Sequence, residues 1–341
     1  MGTILAGDIG GTNTRLALFD EARLTAPAFM RVYASGDYES FLRIVDGFLE
    51  EARQAMPEAE PTCAGFGVAG PVDGAIVKLT NLPWVMDGDA VRERLVGQPV
   101  TIVNDFTAIC HAVPHLEPRQ LHQIGGGKPA AQGTMAVLGA GTGLGEGFIV
   151  WHGGAYQVIP SEGGHADFAP RNALEIRALE YLTEKYRRVS YERILSGPGL
   201  VNLYEFFRDR EGMAEAPAVR EEMRHESAPP VISRHGMARS DPLCERALEL
   251  FCTIYGAEAG NLALKLLARG GVYLAGGIAT KILPMLEAGG FRHGFESKGR
   301  YRDFLESVPT YVITHEQPGL MGAAIAARIQ SGAEPAPPVQ P

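Results

Sequence analysis

The sequence predicts an α/β protein whose two halves are diverged copies of one plan, and three observations carry that prediction. A strand–glycine turn–strand unit occurs twice, its starts about 130 residues apart, far beyond the 20–50 residues of a solenoid repeat. Short apolar strands and stretches with helical periodicity follow each copy. A chain of 341 residues also has the length for two domains, each with its own core, at roughly 100–200 residues per domain.

Ile4-Leu5-Ala6 runs into Gly7-Asp8-Ile9-Gly10-Gly11-Thr12, and Arg15-Leu16-Ala17-Leu18-Phe19-Asp20 resumes the apolar run. That is a hairpin, with no room for a helix at its turn. Phe41, Ile44, Val45, Phe48, Leu49 and Ala52 share one helical face within 38–55. Residues 64–69 read as a strand ending at Gly70-Pro71, and 100–103 as another that delivers Asn104-Asp105 at its C-terminal end. The plan restarts with a strand at 135–138, the glycine turn 139–145 and a strand at 148–151. Helical periodicity returns at 174–186, at 199–208 and through Leu248, Phe251, Cys252, Tyr255, Leu262 and Leu266. Residues 272–275 form a strand capped by Gly276-Gly277, 311–313 a last strand, and 320–329 a small-residue helix. The 211–241 stretch, with Pro229-Pro230 and mixed charges, reads as a variable excursion, and 331–341, rich in Pro and Ala, as a frayed tail.

Glycine accounts for 42 residues, about 12% where roughly 7% is usual. It has no three-residue period, which excludes collagen, and much of it clusters beside apolar runs. The other glycine groups, such as 125–127 and 289–290, read as plain turns. With 40 acidic against 31 basic residues the formal net charge is −9, a surface that repels phosphate backbones and anionic lipid, so neither nucleic acid nor membrane is an expected partner. Lys185, Arg187 and Arg188 read as a solvated helix end. The cysteines at 63, 110, 244 and 252 form no Cys-x-x-Cys pair and read as buried small hydrophobes in a reducing compartment. The N-terminal run lacks the basic region and long apolar core of a signal peptide, and Ala6 stands where a myristoylation signal needs Ser or Thr. No stretch nears the roughly 18–20 apolar residues of a transmembrane helix. A cytoplasmic protein is expected.

Each motif has a plain structural reading beside a chemical one. The turn at 7–12 satisfies the needs of a tight hairpin, but it also holds Asp8, is followed by Thr12, and recurs at 139–145 with Thr142. Glycines let backbone N–H groups approach a polyphosphate closely, and an acid in such a loop is compatible with phosphate when Mg²⁺ lies between them. A dinucleotide-binding fingerprint fails, because Leu144 and Glu146 stand where its last glycine belongs and the adjoining segment is strand-like. A P-loop fails at His122 and Pro129. Asn104-Asp105 suits an Asx turn or helix cap, and equally a general base at a strand end. Glu162 and His165, around Gly163-Gly164, suit hydrogen bonding to ligand hydroxyls or a satisfied loop histidine, with no metal-ligand spacing. Glu192 by itself reads as one more exposed helix glutamate.

Taken together, GDIGGTNTR (7–15), NDFTA (104–108), GAGTGLG (139–145), EGGHADFAP (162–170), ERILSGPGLVNLY (192–204) and LAGGI (274–278) give a chain that resembles the bacterial glucokinase family, the non-zinc branch of the hexokinase–actin–sugar kinase superfamily. The resemblance spans about residues 3–328 and implies two actin-like, ribonuclease H-like α/β domains, internally duplicated, with an active-site cleft between them. It places 1–113 with 317–330 in a small domain, 114–316 in a large one and 331–341 in a disordered tail. It assigns Gly7, Asp8, Ile9, Gly10, Gly11 and Thr12 to a first phosphate loop, with Asp8 on the Mg²⁺ side, through water. Gly141, Thr142 and Gly143 become a second phosphate loop, and Gly276 and Gly277 face the adenosine. Asn104, Asp105, Glu162, His165 and Glu192 contact the sugar, with Asp105 as the general base. The implied reaction is transfer of the γ-phosphoryl of MgATP to the 6-hydroxyl of D-glucose, by a homodimer. Two other readings stand beside it: a non-catalytic sugar sensor on the same fold, and an actin-like ATPase or phosphatase lacking the sugar cluster.

Overall fold

The computed structural model of the chain describes residues 2–72, 74–79 and 82–332. Most of the tail expected at 331–341 lies outside the described residues. The chain divides into two compact units, one within Met1–Gln120, Gly153–Val158 and His315–Pro341, the other within Leu121–His152 and Ile159–Thr314.

The first unit holds β1 (Gly2–Ile9), β2 (Asn13–Asp20), β3 (Phe29–Ala34), β4 (Glu60–Val68), a small antiparallel pair β5 (Ile76–Lys78) and β6 (Val85–Asp87), and β7 (Val100–Asn104). Its main sheet has the order β3-β2-β1-β4-β7. The first three strands form an antiparallel meander, and β4 and β7 run parallel to β1. Parallel neighbours require crossovers, and these contain α1 (Phe41–Ala55) and α2 (Gly88–Arg94). The predicted face of α1 is buried, with Phe41 edge-on to Phe66 of β4 at 5.2 Å. Side chains alternate along a strand, so Gly65 of β4 points the other way. There α3 (Asp105–Ala112) and the last helix, α13 (Pro318–Gln330), pack on each other and α13 packs on the sheet. A Cβ on Gly65 would lie 2.0 Å from the Ala323 carbonyl oxygen, and one on Gly322 1.7 Å from that of Ala108. Small residues let this helix lie almost on the backbone beneath it.

The second unit repeats the plan. Its sheet contains β8 (Leu121–Gly125), β9 (Met135–Ala140), β10 (Leu144–His152), β11 (Ala155–Ser161), β12 (Gly271–Ala275) and β13 (Thr310–Ile313), in the order β11-β10-β9-β12-β13-β8, with residues 155–158 of the edge strand β11 counted in the first unit. As in the first sheet, a hairpin (β9 and β10) is extended by two strands parallel to its first member, and β8 is an added antiparallel edge. Its helices are α4 (Ala173–Tyr186), α5 (Gly197–Asp209), α6 (Pro217–His225), α7 (Ala228–Ala238), α8 (Pro242–Leu266), α9 (Gly277–Lys281), α10 (Leu283–Glu287), α11 (Gly290–Glu296) and α12 (Arg302–Ser307). The core gathers around α8, whose Gly256 approaches the Phe291 carbonyl so closely that a Cβ would sit 1.9 Å from it.

Two readings change here. The 211–241 excursion is mostly helical, because Pro229 and Pro230 occupy the first turn of α7, where the missing N–H groups would have been unpaired. Gly126 is not a plain turn residue: its φ is +87°, and a Cβ would lie 2.0 Å from the Val308 carbonyl oxygen. All four cysteines are buried free thiols. Among the described residues no helix is long and apolar enough to cross a membrane.

Candidate active site

In the first unit the glycine turn joins β1 to β2 and closes with Gly10 N–H donating to the Asn13 carbonyl at 3.0 Å. Ser35, fully buried after β3, braces it from outside. Its N–H donates to the Thr12 carbonyl at 2.9 Å, its hydroxyl to the Gly10 carbonyl at 2.8 Å, and Thr14 Oγ1 stands 3.0 Å from that hydroxyl. Thr12 is exposed at the tip. Asp8 is paired across the ladder with Arg15, whose Nη1 reaches its Oδ2 at 3.4 Å. Burial pushes the Asp8 carboxyl up, against the pull of Arg15.

At the end of β7, two strands away, Asn104 caps α3 by accepting from Phe106 N at 2.9 Å and Thr107 N at 3.2 Å, while its Nδ2 donates to the Gly70 carbonyl at 3.1 Å. Its plain reading as a helix cap is therefore realised. Asp105 is the first residue of α3 and accepts from Phe106 N at 2.8 Å. Burial pushes its carboxyl up and the Asp8 charge adds to this, with the Phe106 and Asn104 hydrogen bonds opposing. A carboxylate moved toward neutrality is a better proton acceptor at physiological pH.

In the second unit the turn between β9 and β10 closes with Gly141 N–H on the Gly143 carbonyl at 2.8 Å, and Gly197 N–H at the start of α5 donates to the Gly141 carbonyl at 2.8 Å. Glu192, in the Tyr191–Arg193 turn, accepts from Leu144 N at 3.0 Å. It is half-buried and not the exposed helix glutamate of the plain reading. Its other oxygen lies 3.8 Å from His165 Nδ1, and Glu162 Oε2 lies 3.9 Å from His165 Nε2. The fold thus gathers Glu162, His165 and Glu192 beside the second glycine turn. Gly164 is required beneath them, since a Cβ would sit 2.0 Å from the Leu144 carbonyl oxygen, and at Gly163 a Cβ would displace the Glu146 carboxyl, 2.0 Å from Oε2. Gly276, at the end of β12, has φ +85° and would carry a Cβ 2.6 Å from the Ala140 carbonyl, whereas Gly277 opens onto free space.

Two contributors escaped the sequence reading. Arg188 holds the 162–167 loop, donating to the His165 carbonyl at 2.6 Å and pairing with Asp167 at 2.9 Å. Ser35 had no signal, since it lies in a plain Ser-Gly-Asp turn. Among the described residues no three His, Cys, Asp or Glu side chains gather to hold a metal ion.

A profile of the Glucokinase family matches residues 5–330. The chain is 43% identical over 342 residues to a glucokinase of Nostoc punctiforme, covering 96% of this chain and 99% of that relative. It is similar, at 30% identity and a TM-score of 0.83, to the crystal structure of a glucokinase from an Antarctic psychrotroph, over 94% of this chain and 97% of that one. A ROK family glucokinase from Streptomyces griseus, crystallised with glucose and AMPPNP, shares the fold at 20% identity and a TM-score of 0.64, covering 96% of this chain and 100% of that one.

Proposed function

Because the chain belongs to the glucokinase family, we propose that it transfers the γ-phosphoryl of MgATP to the 6-hydroxyl of D-glucose, releasing glucose 6-phosphate and ADP and feeding glycolysis. The observation that carries the mechanism is Asp105: a half-buried carboxylate, raised toward neutrality by desolvation, fixed at a strand end by its own helix N-terminus. It takes the proton of the 6-hydroxyl as that oxygen bonds to phosphorus and the bond to the ADP oxygen breaks. The glycine turns Gly7–Thr12 and Gly141–Gly143 offer backbone N–H groups to the phosphates, and Gly276 and Gly277 face the adenosine. Glu162, His165, Glu192 and Asn104 hold the remaining hydroxyls, so that an analogue lacking one leaves a polar group unpaired.

The donor set fits Mg²⁺: Asp8, set in the first glycine turn, offers hard carboxylate oxygens. When bound, that ion would neutralise phosphate charge, with Asp8 holding it through water. The acidic balance and four buried thiols support a cytoplasmic enzyme without nucleic-acid partners, acting as a homodimer as the family resemblance implies.

Asp105→Asn keeps the oxygen that accepts from Phe106 N and removes the base. A coupled assay is expected to show phosphorylation reduced by about 10²–10⁴-fold, with glucose binding still measurable by calorimetry. Retention of a tenth of the rate would exclude Asp105 as the base. ATP turnover independent of glucose would favour an ATPase instead.

A further inference from the structure

Behind the sugar-side loop of the second unit lies a cluster of ionisable side chains without a task in the transfer step. Glu146 on β10 and Glu258 in α8 are 3% and 0% exposed, and Oε1 of each lacks a hydrogen-bond partner among the described residues. The other oxygen of Glu258 accepts from Asn261 Nδ2 at 2.7 Å, and the same amide reaches the Tyr191 hydroxyl at 3.1 Å. Asn261 Oδ1 in turn accepts from Lys298 Nζ, and Lys265 Nζ stands 3.9 Å from Glu258 Oε1. The titratable groups around Glu146 are therefore Glu258, Lys265 and Tyr255 from α8 and Tyr191 from the 190–193 turn, with Lys298 beyond Glu258. Arg171 and Glu175, paired with each other, act on Lys298.

Two links join this cluster to the sugar residues. The Glu146 carboxyl is wedged under Gly163, with Oε2 only 2.0 Å from where a Cβ would stand, at the first position of the turn that carries His165. Tyr191, against Glu258, immediately precedes Glu192, and its N–H donates to the Ala166 carbonyl at 3.0 Å. We propose that Glu146 is a positioning residue for glucose, seating the 162–165 turn directly and the Glu192 carboxylate through Glu258 and Tyr191, and that it does so in its neutral form.

Two carboxylates in one water-poor pocket do not both ionise without cost. Burial and the Glu258 charge push Glu146 up to about 8, with Lys265 opposing. At pH 7 it is neutral. As pH rises through 8 a second negative charge enters the pocket, and the wall nearest it is the Gly163 turn. Affinity for glucose is therefore lost on the alkaline side. If only the neutral form seats the turn, the competent fraction at pH 9 is about one in eleven, and apparent affinity falls roughly tenfold.

This inference rests on the proposed function, and the test separates the two. Glucose binding to the full chain is measured by calorimetry without nucleotide from pH 6.5 to 9.5, together with kcat and KM, for the unmodified protein, Glu146→Gln, Glu258→Gln and Lys298→Met. Thermal melts at each pH verify folding. The expected result is a Kd and KM about tenfold weaker at pH 9 than at pH 7 with a smaller change in kcat. Glu146→Gln flattens that limb. Glu258→Gln, which removes the charge opposing ionisation, moves it to lower pH. Lys298→Met, which leaves the Glu146 carboxyl in place, keeps the limb and carries the test if Glu146→Gln does not fold, a limb lost in Lys298→Met overturning the proposal. A limb unchanged in Glu146→Gln overturns the proposal and assigns the titration to Lys298, which burial brings down to about 8. A flat profile in the unmodified protein overturns it while leaving the function intact, and failure to bind glucose at pH 7 overturns both.

Discussion

Adding one methyl group at Gly143 tests whether the second glycine turn and the cluster proposed to bind the sugar are one device. In Gly143→Ala the new Cβ would lie 2.5 Å from Glu192 Oε2 and 3.3 Å from Cδ, where ordinary contact begins at 3.4 Å. The carboxylate must withdraw by roughly 1 Å to relieve the overlap. That stretches its 3.0 Å bond from Leu144 N beyond hydrogen-bond range. Losing a hydrogen bond to a charged group costs about 1.5–3 kcal/mol, or roughly 10–150-fold in binding at about 1.4 kcal/mol per decade. The loss should fall on glucose, because Glu192 also faces His165 at 3.8 Å. Gly141→Ala is the matched control: it lies in the same turn, at ordinary φ, with nothing within 4 Å of the added Cβ. Its glucose Kd should stay within about twofold, any effect falling on KM for ATP. Calorimetry of glucose binding and a coupled assay over both substrates read the two variants side by side. Equal glucose affinity in both, or equal damage in both, would refute the coupling.

Two predictions concern the first unit. Ser35→Ala removes the buried hydroxyl that braces the Gly10 carbonyl and Thr14, so KM for ATP should rise roughly tenfold while calorimetry finds glucose affinity unchanged. A rise in glucose Kd with no change for ATP would separate this brace from the phosphates. Gly322→Ala drives a Cβ to 1.7 Å from the Ala108 backbone oxygen. Overpacking of about 1–3 kcal/mol or more should lower the melting temperature by several degrees in calorimetry, and an unchanged melt would mean that α13 and α3 do not pack so closely.

Local chemistry alone made most of the fold legible. Apolar runs broken by a glycine turn with no room for a helix read as hairpins, and the apolar face of 41–52 had to cover a sheet. Their recurrence exposed the duplication, visible in the structure as the matching strand orders β3-β2-β1-β4-β7 and β11-β10-β9-β12-β13. The candidate residues were legible too, because acids and a histidine set among glycines are unusual outside sites. Where the local signal was weaker the reading stopped short of the elements. Pro229-Pro230 signals a break, yet proline is also accepted in a first helical turn, and only the packing of α7 on α8 selects that use.

Which residues act together was the part that the sequence by itself did not determine. Glu192 follows Leu144 by 48 positions, and no periodicity links them; only the crossover that returns the chain to the β9–β10 turn makes them partners. Glu146 reads as one more polar residue in a strand until Glu258, 112 positions away, closes the pocket over it and water is excluded. Proximity and desolvation belong to the folded chain, and they decide what a carboxylate does. What the sequence alone determined is the set of backbone shapes and the chemical types available; the tertiary structure determined which charges face one another, and in how little water.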